Sequence, residues 1–197
     1  MQLYTLERET EGFLRDRGSK FLAFAGPART SAEVEARVQA LKKSYHDARH
    51  HCYAWRLGDK GEQSFATDDG EPAHTAGTPI LASLRSHELT WSYVVVVRYF
   101  GGTKLGVRGL IEAYRTAADE AIAANVRLPI IPRVPVTLFY PYERTADVNR
   151  VLHRMDVEIV QAEYTDTCRQ TLAIREEEVA EFCILLDQTL IAWKLAD

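Results

Sequence analysis

Leu128-Pro129-Ile130-Ile131-Pro132-Arg133-Val134-Pro135 places three prolines in eight residues. Proline removes a backbone donor and holds its neighbours extended, so this stretch predicts a joint between two separately patterned parts, residues 1–132 and 133–197. Downstream, Val134, Val136, Leu138 and Tyr140 alternate with Pro135, Thr137 and Phe139, as in a strand. Val148, Val151, Leu152 and Met155 then fall on one face of a helix. Two β-rich stretches, 157–164 and 168–174, turn at Thr165-Asp166-Thr167. A second amphipathic helix carries Val179, Phe182, Cys183 and Leu186, and residues 190–195 read as a last strand. The order βαββαβ is the split arrangement of ferredoxin-like domains.

Upstream the pattern is also mixed α/β. Residues 11–25 read as two strands meeting at Arg17-Gly18. Thr30 and Glu33 form a capping box before a helix with Val34, Val38, Leu41 and Tyr45 on its apolar face. Strands follow at 51–57 and 63–67, then a helix over 78–86 with Pro79 in its first turn. Residues 91–100 form a strand whose unbroken valine run predicts burial on both faces. Leu110, Ile111, Tyr114, Ala117, Ala118, Ala121 and Ile122 then mark a long helix.

Composition narrows the function classes. The chain has 197 residues, 46% of them hydrophobic, enough for a packed core and against disorder. The longest uninterrupted apolar run, Tyr93 to Val97, is far below the ~20 residues a membrane helix needs. The first nine residues lack the basic and apolar regions of a secretory signal, and three cysteines without CxxC spacing argue against disulfides or structural zinc. Both observations predict a cytoplasmic protein without a membrane partner. Net charge is −4; residues 1–132 carry 17 basic and 16 acidic side chains, and residues 133–197 carry 7 and 12. Any nucleic-acid surface must therefore be a local patch in the first part.

Three segments there carry chemistry. Arg98-Tyr99-Phe100-Gly101-Gly102-Thr103-Lys104-Leu105-Gly106-Val107-Arg108-Gly109-Leu110 is a strand–glycine loop–helix joint. Exposed N–H groups, a helix N-terminus and Lys104 favour an anion there. It is neither a Walker loop nor GxGxxG, and the alternative is that the glycines permit a tight turn and close helix–sheet packing. Asp68-Asp69-Gly70-Glu71-Pro72-Ala73-His74-Thr75 offers carboxylates for Mg²⁺, or simply a turn. His50, His51 and Cys52 suggest zinc, but neighbours on a strand face opposite ways. No catalytic residue, metal or cofactor is assigned from these patterns, and no nucleophile–base frame is legible.

The same segments resemble the YigZ/IMPACT family. The match runs collinearly through Gly18-Ser19-Lys20-Phe21, Asp47-Ala48-Arg49-His50-His51-Cys52-Tyr53-Ala54 and Asp68-Asp69-Gly70-Glu71-Pro72. It continues through Thr75-Ala76-Gly77-Thr78-Pro79-Ile80-Leu81 and residues 94–106. The resemblance implies an α/β (α+β) fold: an N-terminal domain of the superfold shared by RNase PH and a small-subunit ribosomal protein, plus a ferredoxin-like C-terminal domain. Two departures stand out: Ala73-His74 where the family often ends in glycine or asparagine, and Gly106-Val107-Arg108-Gly109-Leu110 where it usually has Gly-x-Gly-Gly-Leu.

Eukaryotic relatives regulate translation initiation under amino-acid starvation by competing for a kinase activator. Bacteria lack that kinase, so the resemblance implies RNA or ribosome binding. It makes Arg98, Gly101, Gly102, Lys104, Gly106 and Gly109 candidate phosphate contacts, to which Arg108, a departure from the pattern, adds a second cation. His50, His51, Asp68, Asp69, Glu71, Pro72, His74 and Thr75 are the candidate partner or ligand surface. The leading reading is a non-catalytic RNA- or ribosome-associated regulator of translation. The alternatives are a metal-assisted phosphoryl hydrolase and a protein-interaction module.

Overall fold

The structure, a computed structural model, describes residues 2–195. Contacts divide the chain into two compact units, Met1–Ile130 and Ile131–Asp197.

The first unit is built on five antiparallel strands: β2 (Thr10–Asp16), β3 (Ser19–Pro27), β4 (His50–Leu57), β5 (Gln63–Thr67) and β6 (Ser92–Tyr99), in the order β2-β3-β6-β4-β5. Arg17 and Gly18, at φ 44° and 81°, close the β2–β3 hairpin between the paired residues Asp16 and Ser19. Two successive positive φ values suit the right-handed twist of such a hairpin. β6 lies in the middle and its valines are fully buried. Val94 and Val96 pack with α2 (Gly77–Ser86) and α3 (Gly106–Ala123), whereas Val95 and Val97 face α1 (Ser31–Ser44). Burial on both faces explains the unbroken apolar run. The expected cap of α1 forms as Glu33 N–H donates to Thr30 Oγ1 at 3.2 Å. Glu33 Oε2 in turn accepts from Arg29 N–H at 2.9 Å, one residue outside the usual box.

Most of residues 128–135 are extended, as prolines favour. Arg127–Pro129 forms β7, which pairs with β1 (Tyr4–Leu6), and Arg133–Pro141 forms β8. Only 130–132 lie between strands, because the prolines sit where the ladder needs no donor from them.

The second unit has four antiparallel strands, β8, β9 (Val157–Glu163), β10 (Thr167–Arg175) and β11 (Ala192–Leu195), in the order β11-β8-β10-β9. α4 (Thr145–Leu152) and α5 (Val179–Gln188) cover one sheet face through Val148, Phe182 and Leu186, packed on Val136, Leu138 and Leu172. The expected last strand begins two residues late, because Leu190 adopts φ 53° in a turn and is 88% exposed. Among the described residues no helix is long and apolar enough to cross a membrane.

Candidate functional site

After β5 the chain turns sharply, with Asp69 and Gly70 at φ 40° and 88°. Asp68 organises the loop that leads into α2. Its Oδ1 accepts from Ala76 and Gly77 N–H, both at 2.9 Å, and its Oδ2 accepts from His74 N–H at 2.8 Å. Partial burial opposes the charge on Asp68, but these three donors outweigh it and hold the carboxyl below its usual value. Asp69 is engaged as well, Oδ2 accepting from His51 N–H at 2.7 Å and Oδ1 from Lys42 Nζ at 3.2 Å. Among the described residues no three His, Cys, Asp or Glu side chains are grouped to hold a metal ion. The Mg²⁺ alternative thus meets two aspartates already serving local donors.

This turn delivers Glu71 inward. Its carboxylate and the Arg98 guanidinium meet at 2.5 Å, with only 4% and 6% of the side chains exposed. Tyr114 Oη donates to the same Glu71 Oε1 at 2.8 Å, and Cys52 Sγ reaches Tyr114 Oη at 3.3 Å. His50 Nε2 stands 3.9 Å from Glu71 Oε1 while its Nδ1 contacts the Asp69 carbonyl at 2.8 Å. Arg98 Nη2 donates weakly to Ser19 Oγ at 3.4 Å, and Ser19 Oγ also accepts from Gly101 N–H at 3.2 Å. Rings of Phe21 and Phe100 flank the guanidinium, with centroids 5.3 and 5.6 Å away. Burial, partly offset by the Tyr114 hydrogen bond, pushes the Cys52 thiol far up, so it is no thiolate nucleophile near neutral pH.

Arg98 thus spends its charge on a carboxylate inside the core, which removes it as a free phosphate contact. His51 and Thr75, only 5% and 1% exposed, are also withdrawn from the expected partner surface. His51 sits on the opposite strand face from His50, and burial lowers its pKa despite Asp69 nearby. His74 is exposed at φ 63°, a left-handed conformation natural to glycine and asparagine.

The glycine joint answers two different demands. A Cβ on Gly101 would stand 1.9 Å from the Gly18 carbonyl carbon, so two backbones touch there. Gly102 and Gly106 face open space, and their positive φ values of 86° and 74° are what require glycine. The close approach is therefore between loop and hairpin, not helix and sheet. α3 begins at Gly106 with no side-chain cap, leaving its first N–H groups without such an acceptor.

Beside this helix start lies a groove of about 330 Å³. Glu71, Pro72 and Arg98 line one part, and Phe100, Lys104, Gly106 and Val107 another. The acidic turn and the glycine joint, far apart in sequence, share this one space. Gly101, Gly102, Arg108 and Gly109 are not on its wall. Sequence reasoning missed Ser19, Phe100 and Tyr114 as site residues. Strand parity was the usable signal for one of them, since residues 94, 96, 98 and 100 alternate to one face.

The Impact N-terminal domain model matches residues 17–122. The chain belongs to the IMPACT family. It is 33% identical to the IMPACT family member YigZ of Escherichia coli over 166 residues, covering 83% of this chain and 81% of that protein. An IMPACT family member of Thermus thermophilus is 35% identical, over 79% of this chain and 84% of its own. A crystal structure of a hypothetical protein superposes with a TM-score of 0.74 at 28% identity, covering 100% of this chain and 98% of that one. The two-domain translational regulator Yih1 is 26% identical over 62% of this chain and 47% of its own, at a TM-score of 0.36, too low to imply a shared arrangement.

Proposed function

We propose that this IMPACT family chain is a non-catalytic, cytoplasmic, RNA- or ribosome-associated protein that regulates translation. Family membership supports the setting, since the resemblance implies translational control in eukaryotic relatives and leaves RNA or ribosome binding for bacterial ones. In this reading the first unit, with the RNase PH and ribosomal-protein-like superfold, binds RNA, and the second is ferredoxin-like. The strand order β11-β8-β10-β9 supports that second assignment.

One observation carries the RNA part. Lys104 borders the groove, makes no ion pair among the described residues, and stands beside the uncapped start of α3. A free cation next to unpaired N–H groups is the electrostatic form a phosphate contact takes. Arg108 follows in the same exposed first turn and adds a weaker, more distant charge. The hydrolase alternative is less well supported, because Asp68 and Asp69 already accept hydrogen bonds from the chain. The test is a salt titration of binding to single-stranded RNA. Lys104→Ala is expected to melt like wild type, to bind more weakly at low salt, and to reduce the salt slope by about 0.7. Unchanged affinity and slope would remove the groove from the RNA site.

A further inference from the structure

The groove is more apolar than a phosphate contact requires. Phe100, Leu105, Val107 and Leu110 form much of its wall, with Pro72 among the other lining residues. A phosphate is satisfied by Lys104 and N–H groups at an open surface and gains nothing from these side chains. Phe100 is 45% exposed, although large aromatic rings are normally covered. Its ring stacks near the Arg98 guanidinium and remains accessible to a second planar partner.

The charged pair in the same groove is also incompletely satisfied. Arg98 Nε is buried with no hydrogen-bond partner. Glu71 directs Oε1 to both Arg98 and Tyr114, while its Oε2 accepts no hydrogen bond among the described residues. Glu71 and Arg98, each with an unused polar atom, therefore line the groove beside an exposed aromatic ring. Unpaired nucleobases present that same combination, a hydrogen-bonding edge with donor next to acceptor and a flat face that stacks on aromatic side chains.

We infer that the groove takes one unstacked base of a single-stranded RNA. The base ring lies against Phe100, its edge faces Arg98 and Glu71, and the adjoining phosphate sits at Lys104 and the start of α3. The volume of about 330 Å³ lies near the small end of ligand pockets. A duplex keeps its bases paired and cannot supply one, so loops, bulges and single strands are selected. This inference rests on the proposed RNA-binding role of the first unit.

The test is fluorescence anisotropy on the full chain with labelled RNA strands of roughly ten nucleotides, one with bases, one abasic throughout, and one as a duplex. The base-bearing single strand is expected to bind about tenfold more tightly than the abasic strand of equal charge. Phe100→Ala is expected to lose about tenfold on the base-bearing strand alone, with an unchanged salt slope, and Phe100→Trp to restore it. Phe100 is half-exposed, so both variants are expected to melt close to wild type. Equal binding of normal and abasic strands, or Phe100→Ala indistinguishable from wild type, overturns the base site. If Lys104→Ala still lowers affinity in that case, the RNA reading survives without it. No binding of any strand at low salt overturns both.

Discussion

In the first unit Arg98 and Glu71 pair with 6% and 4% of their side chains exposed; in the second, Arg133 and Arg175 share Asp156, which is 48% exposed. The groups are the same and their consequences differ. In the second unit the core side chains are mostly aliphatic and aromatic, and charge remains at the surface, where water screens it. In the first, a carboxylate and a guanidinium have been taken out of water, so each depends on the other. Buried charge is expensive to keep, and here it adjoins a groove with an exposed aromatic ring. The contrast separates the unit that carries the proposed site from one whose ion pairs at Asp156 are local surface contacts.

The sharpest way to break this comparison is to remove one member of the buried pair. Glu71→Ala leaves Arg98 buried and uncompensated, and is expected to cost about 3–5 kcal/mol in urea denaturation. Adding Arg98→Met should recover much of that loss; a double variant no better than the single one would mean the pair is not the source. Next comes Asp68→Ala, which removes three accepted N–H bonds from a half-exposed loop, expected to cost about 2 kcal/mol. Because the folded Asp68 carboxyl is held low, its contribution is complete above about pH 4 and is lost as pH falls through the folded value. Wild type should therefore lose more stability on acidification than the variant, and equal acid limbs would contradict that assignment. His74→Gly should stabilise by about 0.5 kcal/mol, since the left-handed strain of about 1–2 kcal/mol exceeds glycine's entropy cost of about 0.5–1. Smallest is Asp156→Ala, for which the melting temperature should match wild type within error; a clear drop would mean that the second unit also depends on its charges.

Much of the architecture was legible because the two sheets leave different sequence signatures. β6, covered on both faces, reads as an unbroken valine run, while β8, covered by helices on one, reads as Val134, Val136, Leu138 and Tyr140 in alternation. The pairing of β1 with β7 was not legible. Three-residue strands show no periodicity, and their partner lies at the other end of the unit. At the site, residue types were informative and burial was not. Asp68, Asp69 and Glu71 look alike in sequence, yet two of them serve nearby backbone while the third enters the core. That difference depends on where α2 begins and on Tyr114, more than forty residues away in α3.

The β1–β7 ladder brings Tyr4 opposite Pro129. During synthesis, therefore, β1 waits for its ladder partner while more than a hundred further residues are made, although Tyr4 can already bond Glu88 and Thr90. Closing so long a loop comes late in folding, after local hairpins and helices have formed. A chain made only as far as residue 126 would leave Leu6, otherwise 1% exposed, without its strand partner.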